Sequence, residues 1–267
     1  MTTLMILPTS FKAQGRDNPY VNAAGDTSRA MEEHEAIAAA LTAPILAHVD
    51  ASLPDGVFVS DSGVRLERLP KVVLLSRMKY KQRRKEQPYH VKIFKDLGYA
   101  TIPFPKGVFE GQSELKFFHR GQVLVHGYGF RSTRASTEVM QQVLDDVYGA
   151  YRVLPPQVVP IRLADPLFYH LDIAMLKYDD TSCIVHKRAF SRDDLERLRR
   201  VCTVHVIDVE DTFCLNAFID GGRLITHAVT PQVKHLLERI TKYPVVPLST
   251  HSFEQAGGSV RCTIFEL

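Results

Sequence analysis

The chain has 267 residues, 45% of them hydrophobic and 24% charged, which gives it the make-up of a globular protein with material for a sizeable buried core. Its 33 Lys and Arg are interspersed with 30 Asp and Glu, leaving a formal charge of +3 and no basic arm or stripe, so nucleic acid is not an expected partner. The apolar runs "TLMIL" and "AIAAALTAPILAHV" are too short or too interrupted to span a bilayer, and no basic leader with an apolar stretch precedes a cleavage site; neither membrane nor export is expected, and the cytoplasm is the expected location.

In chain order, "TTLMILPTS" reads as a strand without a hairpin partner, followed by the helical stretch "SRAMEEHEAIAAAL". Residues 57–77, "VFVSDSGVRLERLPKVVLLSR", read as an alternating strand, a polar turn and a second strand. In "RRKEQPYHVKIFKDLGY" the residues Val91, Phe94 and Leu97 keep helical spacing and Gly98 marks the end. The same order recurs at residues 108–127, "VFEGQSELKFFHRGQVLVHG", where "HRG" is the turn. The helix "ASTEVMQQVLDDVYGAY" follows, with Val139, Val143, Leu144 and Val147 on one face. It recurs again at 167–187 with "YDDTS" as the turn, and Ser191 and Asp194 suit a capping box for "SRDDLERLRRV". A fourth copy spans 212–228 with "DGG" as the turn, and Thr230 and Pro231 suit the N-cap and first position of the next helix.

Each unit adds a strand after its helix, as in "YATIPFP", "QVVPIRL" and "PVVPLS". The fifth copy, "RCTIFEL", supplies only a first strand, which the N-terminal strand would complete. Pairing of the two ends would give a five-bladed α/β propeller, with pseudo-fivefold repeats around a central pocket and residues 1–267 as a single catalytic domain. A doubly wound α/β sheet is the plainer alternative, and the hairpin in every unit argues against it.

Aligning the repeats by first strand brings a set of polar residues into register: Asp61, Glu110 with Glu114, His170 with Asp172, Asn216 and Cys262. On strands lining one axis they would converge in a pocket. Cysteine with histidine suggests a nucleophile and a proton-transfer partner. Carboxylates crowded beside them call for a cation, and a planar guanidinium matches carboxylate oxygens two by two. Cys183 and Cys214 lie in apolar strands and read as core residues, and Cys202 follows a basic helix and needs no role. The four cysteines lack zinc-ligand spacing and no nucleotide-binding glycine motif is present, so neither metal nor cofactor is expected.

"DNPYVN", "PDGVFVSDSG", "PFPKGVFEGQSEL", "HGYGFRST", "FYHLD" and "FEQAGGSVRCTIFEL", in this order, resemble the guanidine-modifying enzymes of the pentein superfamily, notably the dimethylarginine dimethylaminohydrolases and the arginine dihydrolases. The resemblance implies a five-bladed propeller and covalent catalysis. It makes Cys262 the nucleophile, His170 the general acid and base, and Glu110 the carboxylate that orients the guanidinium. Asp61 is similar in position to a substrate-binding carboxylate, and Arg83 and Arg131 fall where arginines hold the substrate's α-carboxylate. Glu114, Asp172, Asn18 and Asn216 join the expected substrate contacts. The expected partner is a small guanidino compound, with a homodimer as the assembly considered.

Two departures bear on the substrate. Asp61 stands where dihydrolase-like relatives tend to carry asparagine, which tilts the reading towards hydrolysis of one C–N bond. Ser113 and Glu114 stand where the family usually offers a glycine and an aspartate, and Ser60 where many dimethylaminohydrolases have a glutamate. The expected reaction is hydrolysis of arginine or Nω-methylated arginine to citrulline with release of ammonia or a methylamine. An amidinotransferase, an arginine deiminase or dihydrolase, and a non-catalytic guanidino-binding protein are the alternatives.

Overall fold

The computed structural model describes residues 2–13, 18–21, 27–50 and 52–267. β1 (Thr3–Ile6) is followed by α1 (Thr27–Ala40) and β2 (Pro44–Ala47). β3 (Gly63–Arg65) and β4 (Val72–Leu75) lead through α2 (Gln87–Asp96) to β5 (Ala100–Pro103), and the same order recurs in β6 (Leu115–Phe118), β7 (Val123–Tyr128), α3 (Arg134–Ala150) and β8 (Gln157–Arg162). The short helix α4 (Leu171–Ala174) precedes β9 (Met175–Lys177), β10 (Ser182–His186), α5 (Arg192–Arg199) and β11 (Thr203–Ile207). β12 (Phe218–Asp220), β13 (Arg223–His227), α6 (Pro231–Thr241) and β14 (Val245–Leu248) follow, and α7 (His251–Glu254) leads to β15 (Phe265–Glu266).

These strands form five three-stranded sheets, β15-β1-β2, β3-β4-β5, β6-β7-β8, β9-β10-β11 and β12-β13-β14, and no larger doubly wound sheet among the described residues. In each, the first strand is antiparallel to the middle one and the third is parallel to it. A tight turn suffices for the antiparallel pair, whereas the parallel partner needs a crossover, which one helix supplies in every repeat. The "DGG" turn joins β12 to β13 with Asp220 opposite Arg223. The caps lie where the sequence places them: the Ser191 hydroxyl accepts from Asp194 N at 3.2 Å and donates to the Asp194 carboxylate at 2.6 Å, and Thr230 caps α6 with Pro231 as its first residue.

The chain divides into two compact units, Met1–Ser60 with Val209–Leu267, and Asp61–Asp208. The first holds β15-β1-β2 and β12-β13-β14 around a core that includes Met5, Phe11, Ile37, Phe58, Phe253 and Ile264. The second holds the other three sheets, and Leu74, Phe109, Leu124, Met140 and Tyr148 are in its core. The two chain ends pair as expected: Thr3 lies opposite Glu266 and Leu4 opposite Phe265, and Leu267 N donates to Thr2 O at 3.1 Å.

One expectation is corrected. The residues aligned on first strands do not lie on strands. Asp61 is in a single 3₁₀ turn, Val59–Ser62, and Glu110 caps another, Gly111–Glu114. His170 caps α4, Asp172 is in its first turn, Asn216 lies in the bend before β12, and Cys262 is in the turn Arg261–Thr263. Each first strand starts only after this segment and is correspondingly short.

Phe265 is fully buried and opposite Leu4, so it anchors the sheet made from the two ends. Phe265→Ala is expected to lower unfolding stability by about 3–5 kcal/mol, the usual cost of emptying a phenylalanine site. Urea titration followed by circular dichroism would measure it; a loss below about 1 kcal/mol would mean that this pairing contributes little.

Candidate active site

In the unit Asp61–Asp208, the turns that open the repeats carry charged side chains into full burial. Gly111, next to Glu110, has φ +65°, a backbone shape that a side chain resists, and it lets the chain turn sharply into the 3₁₀ helix just after the carboxylate. Glu110 Oε1 accepts from Lys79 N at 2.8 Å, and Oε2 accepts from Arg131 Nη1 at 3.2 Å and from His170 Nε2 at 2.8 Å. His170 Nδ1 lies 3.8 Å from Asp61 Oδ1. The Asp61 carboxylate also accepts from Ser113 Oγ and from Arg83 Nη1.

Glu114 is turned back on its own segment. Oε2 accepts from Glu110 N at 2.8 Å and from the Ser132 hydroxyl at 2.5 Å, and Oε1 accepts from Ser132 N at 2.8 Å. It therefore holds the turn that presents Glu110. Asp172, two residues after His170 in the first turn of α4, is fully buried. Arg83 forks onto Glu86, Nε to Oε1 at 2.9 Å and Nη2 to Oε2 at 3.0 Å. Arg131 lies between two rings, its guanidinium carbon 4.7 Å from the centre of Tyr80 and 4.6 Å from that of Tyr169.

These contacts set the charges. Burial opposes ionisation of Glu110, but Arg131, His170 and Arg83 outweigh it and hold the carboxyl well below the usual carboxylate range. Burial also disfavours the charged form of His170, and the carboxylates of Asp61 and Glu110 reverse this, raising its pKa above the ordinary imidazole value. With Glu110 ionised, its oxygens can only accept, so His170 Nε2 carries the proton between them. Burial pushes Glu114 up to about 7; His170 works against this shift and the Glu110 charge adds to it.

In the other unit, Asn216 organises the turn that carries Cys262. Its Oδ1 accepts from Arg261 N at 3.0 Å and from Cys262 N at 3.4 Å, while its Nδ2 donates to Cys262 Sγ at 3.2 Å. Cys262 is 3% exposed. The "AGG" before it includes Gly257, with φ +86°, and Gly258, where an added Cβ would stand 2.4 Å from the Phe58 ring; the close approach there is to Phe58. Asn18 Nδ2 donates to Ala256 O at 2.6 Å and Asn18 Oδ1 accepts from Tyr20 N at 3.0 Å, so this side chain ties the "DNPYVN" segment to the turn before Cys262. Asp17 and Asn22 of that segment lie outside the described residues.

Within the second unit, Asp61, Arg83, Glu110, Glu114, Arg131 and His170 thus form one connected network, and within the first Asn216 meets Cys262. Sequence reasoning missed Glu86, Ser132, Tyr80 and Tyr169. Only Glu86, three residues after Arg83 and so on the same side of a helical turn, carried a local signal. It also missed His227, held by Asp211 Oδ2 at 2.9 Å and Glu254 Oε1 at 3.1 Å. The thiols of Cys183 and Cys202, read as having no shared role, lie 3.5 Å apart. Among the described residues, no group of His, Cys, Asp and Glu is arranged to hold a metal ion, and no helix is long and apolar enough to cross a membrane.

The N-terminal domain of ArgZ, an arginine dihydrolase from cyanobacteria solved as a cysteine-to-serine variant bound to substrate, superposes with a TM-score of 0.87 at 24% identity, covering 99% of this chain and 97% of that domain. This likeness establishes the five-bladed α/β propeller as the fold class. By sequence the chain is 30% identical to the bifunctional arginine dihydrolase/ornithine cyclodeaminase ArgZ of Synechocystis over 78% of this chain, but it spans only 28% of that protein's length. It is 28% identical to the N(G),N(G)-dimethylarginine dimethylaminohydrolase of Mycobacterium tuberculosis, over 81% of this chain and 67% of that protein. A family model described as "N,N dimethylarginine dimethylhydrolase, eukaryotic" matches residues 14–267, and the chain belongs to that family.

Proposed function

We propose that the protein hydrolyses a C–N bond at the guanidino carbon of arginine or Nω-methylated arginine, giving citrulline and ammonia or a methylamine. The observation that carries this reading is the buried pairing of His170 with two carboxylates, Glu110 at 2.8 Å and Asp61 at 3.8 Å, in a member of the dimethylarginine hydrolase family. Such an array suits a cationic, planar substrate and keeps an imidazolium ready to donate a proton. Support for a covalent route comes from the ArgZ domain, a variant of which is covalently bound to a reaction intermediate.

In the proposed mechanism the Cys262 thiolate attacks the guanidino carbon and a C–S bond forms. The His170 imidazolium gives its proton to the departing amine as the C–N bond breaks, leaving a thiouronium on Cys262. The neutral His170 then takes a proton from water, whose oxygen adds to the same carbon. Cleavage of the C–S bond returns the thiolate, and the hydroxyl proton of the adduct passes to solvent, where the released amine takes it up, leaving citrulline. Glu110 keeps His170 protonated for the first half and orients its ring for the second. Asn216, whose amide donates to the Cys262 sulfur, favours the thiolate by supplying a hydrogen bond to its charge.

Cys262→Ser keeps the size and the turn while replacing the thiol by an alcohol of much higher pKa, so turnover is expected to fall by several orders of magnitude with binding retained. Intact mass measurement after rapid acid quench should find a substrate-derived increment on Cys262 in the wild type, absent from the serine variant. Full turnover by Cys262→Ser would remove the nucleophile from this assignment.

Nω,Nω-dimethylarginine is expected to be preferred over arginine by a modest margin, since Asp61 follows the dimethylaminohydrolase pattern. Measuring kcat/KM for both compounds decides it, and faster turnover of arginine would reverse the preference.

The Glu114 carboxyl, raised from 4.5 to about 7 by burial, favours the fold in its protonated form. Its contribution is complete below pH 4.5 and is lost as pH rises through about 7. The stability of the wild type relative to Glu114→Gln should therefore fall across this window by up to roughly 3 kcal/mol. Denaturant titrations of both proteins from pH 4 to 8 would test it, and parallel pH profiles would contradict a buried protonated Glu114.

A further inference from the structure

His227 ends β13, the middle strand of its sheet, and is 7% exposed, yet both of its ring nitrogens meet carboxylates. Nε2 lies 2.9 Å from Asp211 Oδ2 and Nδ1 lies 3.1 Å from Glu254 Oε1. An ionised carboxylate can only accept, so each nitrogen carries a proton and the ring is an imidazolium. Burial works against this charge, and the bonds to Asp211 and Glu254 outweigh it and raise the pKa to about 9. None of these three side chains takes part in the chemistry proposed above.

The two carboxylates belong to different arms of the chain. Asp211 opens the bend before β12: its Oδ1 accepts from Phe213 N at 3.0 Å, its carbonyl accepts from the Cys214 thiol at 3.2 Å, and Phe213 O accepts from Asn216 N at 2.9 Å. Thr226, next to His227 on β13, donates to Cys214 O at 3.3 Å. This arm ends on Asn216. Glu254 closes α7, and its Oε1 also accepts from the Thr250 hydroxyl at 2.6 Å. That hydroxyl gives its one proton to Glu254, so in the 2.8 Å contact between Thr250 Oγ1 and Ser259 Oγ the donor is Ser259. Gly257 N donates to Glu254 O at 2.9 Å and Gly258 N to Phe253 O at 3.0 Å, which folds the end of α7 into the turn that follows. This arm runs on through Ser259 to Cys262. The arms meet where Asn216 Nδ2 donates to Cys262 Sγ at 3.2 Å, and His227 joins them behind that contact with one charge shared between both.

We propose that His227 is a positioning residue for the nucleophile: by holding the Asn216 arm to the Cys262 arm, it keeps the Asn216 amide on the sulfur and so keeps the thiol acidic. The inference rests on the reading of Cys262 as the nucleophile. It assigns a part in the reaction to a side chain that acts only through the two residues it aligns.

The experiment follows alkylation of Cys262 by iodoacetamide, a reagent smaller than arginine, against pH in the wild type and in His227→Gln, with peptide mapping to count the other cysteines apart. The ultraviolet absorbance of the thiolate, read as the difference from the same protein carrying Cys262→Ser, gives the midpoint without a reagent. Glutamine carries no charge and has one nitrogen in place of two, so it cannot hold both arms as the imidazolium does. With the bond to sulfur loosened, the midpoint should rise by about one pH unit, which is roughly tenfold less thiolate at any pH below it. Turnover of Nω,Nω-dimethylarginine should fall by about tenfold in kcat, with KM little changed. A role confined to the fold would lower the denaturation midpoint and leave the thiol midpoint where it is. Asp211→Asn and Glu254→Gln weaken one arm each and should move the thiol midpoint the same way by less; they decide the matter if His227→Gln does not fold. An unchanged thiol midpoint in folded His227→Gln, or in both single-arm variants, overturns the inference, as does a loss seen in KM alone. If Cys262→Ser keeps full turnover, the nucleophile reading falls and this inference falls with it; if Cys262 carries the substrate-derived increment and its midpoint does not move, only the positioning role is refuted.

Discussion

The ionised carboxylate of Glu110, with no exposure to water, is the constraint from which much of the second unit follows. A buried charge of this kind survives only if donors and counter-charges replace its hydration, which is worth several kcal/mol. Its partners are a backbone N–H, a guanidinium and an imidazole. Each partner needs its own support, which explains the rings of Tyr80 and Tyr169 on either side of Arg131. Glu114, only four residues away, holds its proton more tightly: burial raises its pKa, and although His170 works against this, the Glu110 charge adds to it.

The other unit meets a different demand, the placing of a sulfur atom. Asn216 does this with both ends of its amide, the oxygen collecting two backbone donors of the Cys262 turn and the nitrogen directed at the sulfur. An aspartate could accept the same backbone bonds but could not donate to sulfur, and its charge would oppose a thiolate. His227 serves the same region from further out. Burial disfavours its charge, but hydrogen bonds to Asp211 and Glu254 raise it to about 9, so near neutrality it is a cation joining the segment before Asn216 to the helix before the Cys262 turn.

The repeat, its hairpins and the sharing of one sheet between the two chain ends were legible because they rest on local signals: turn glycines, cap residues and helical spacing. The short helical turns were not. Residues 57–64, 109–115, 168–176 and 256–265 are buried on every side, so they have no exposed face against which an alternation could register, and a run of mixed apolar and small polar residues reads as strand. The register of the repeats brought Glu110, His170 and Cys262 together, and a resemblance in motif order gave them their expected roles. Tyr80, Ser132 and the partners of His227 escaped because their roles depend on which loops meet, and nothing in their immediate neighbours records that.

The turn that opens each repeat has a consequence for how such a protein can change. It sits ahead of the first strand and outside the hydrogen-bond ladders, and it offers one side chain while the sheet behind it supplies the stability. Asp61, Glu110, His170, Asn216 and Cys262 are five different residue types, carrying four kinds of functional group, in five equivalent sockets. Such a scaffold can retune its chemistry one position at a time, in the way an alphabet makes new words without new letters.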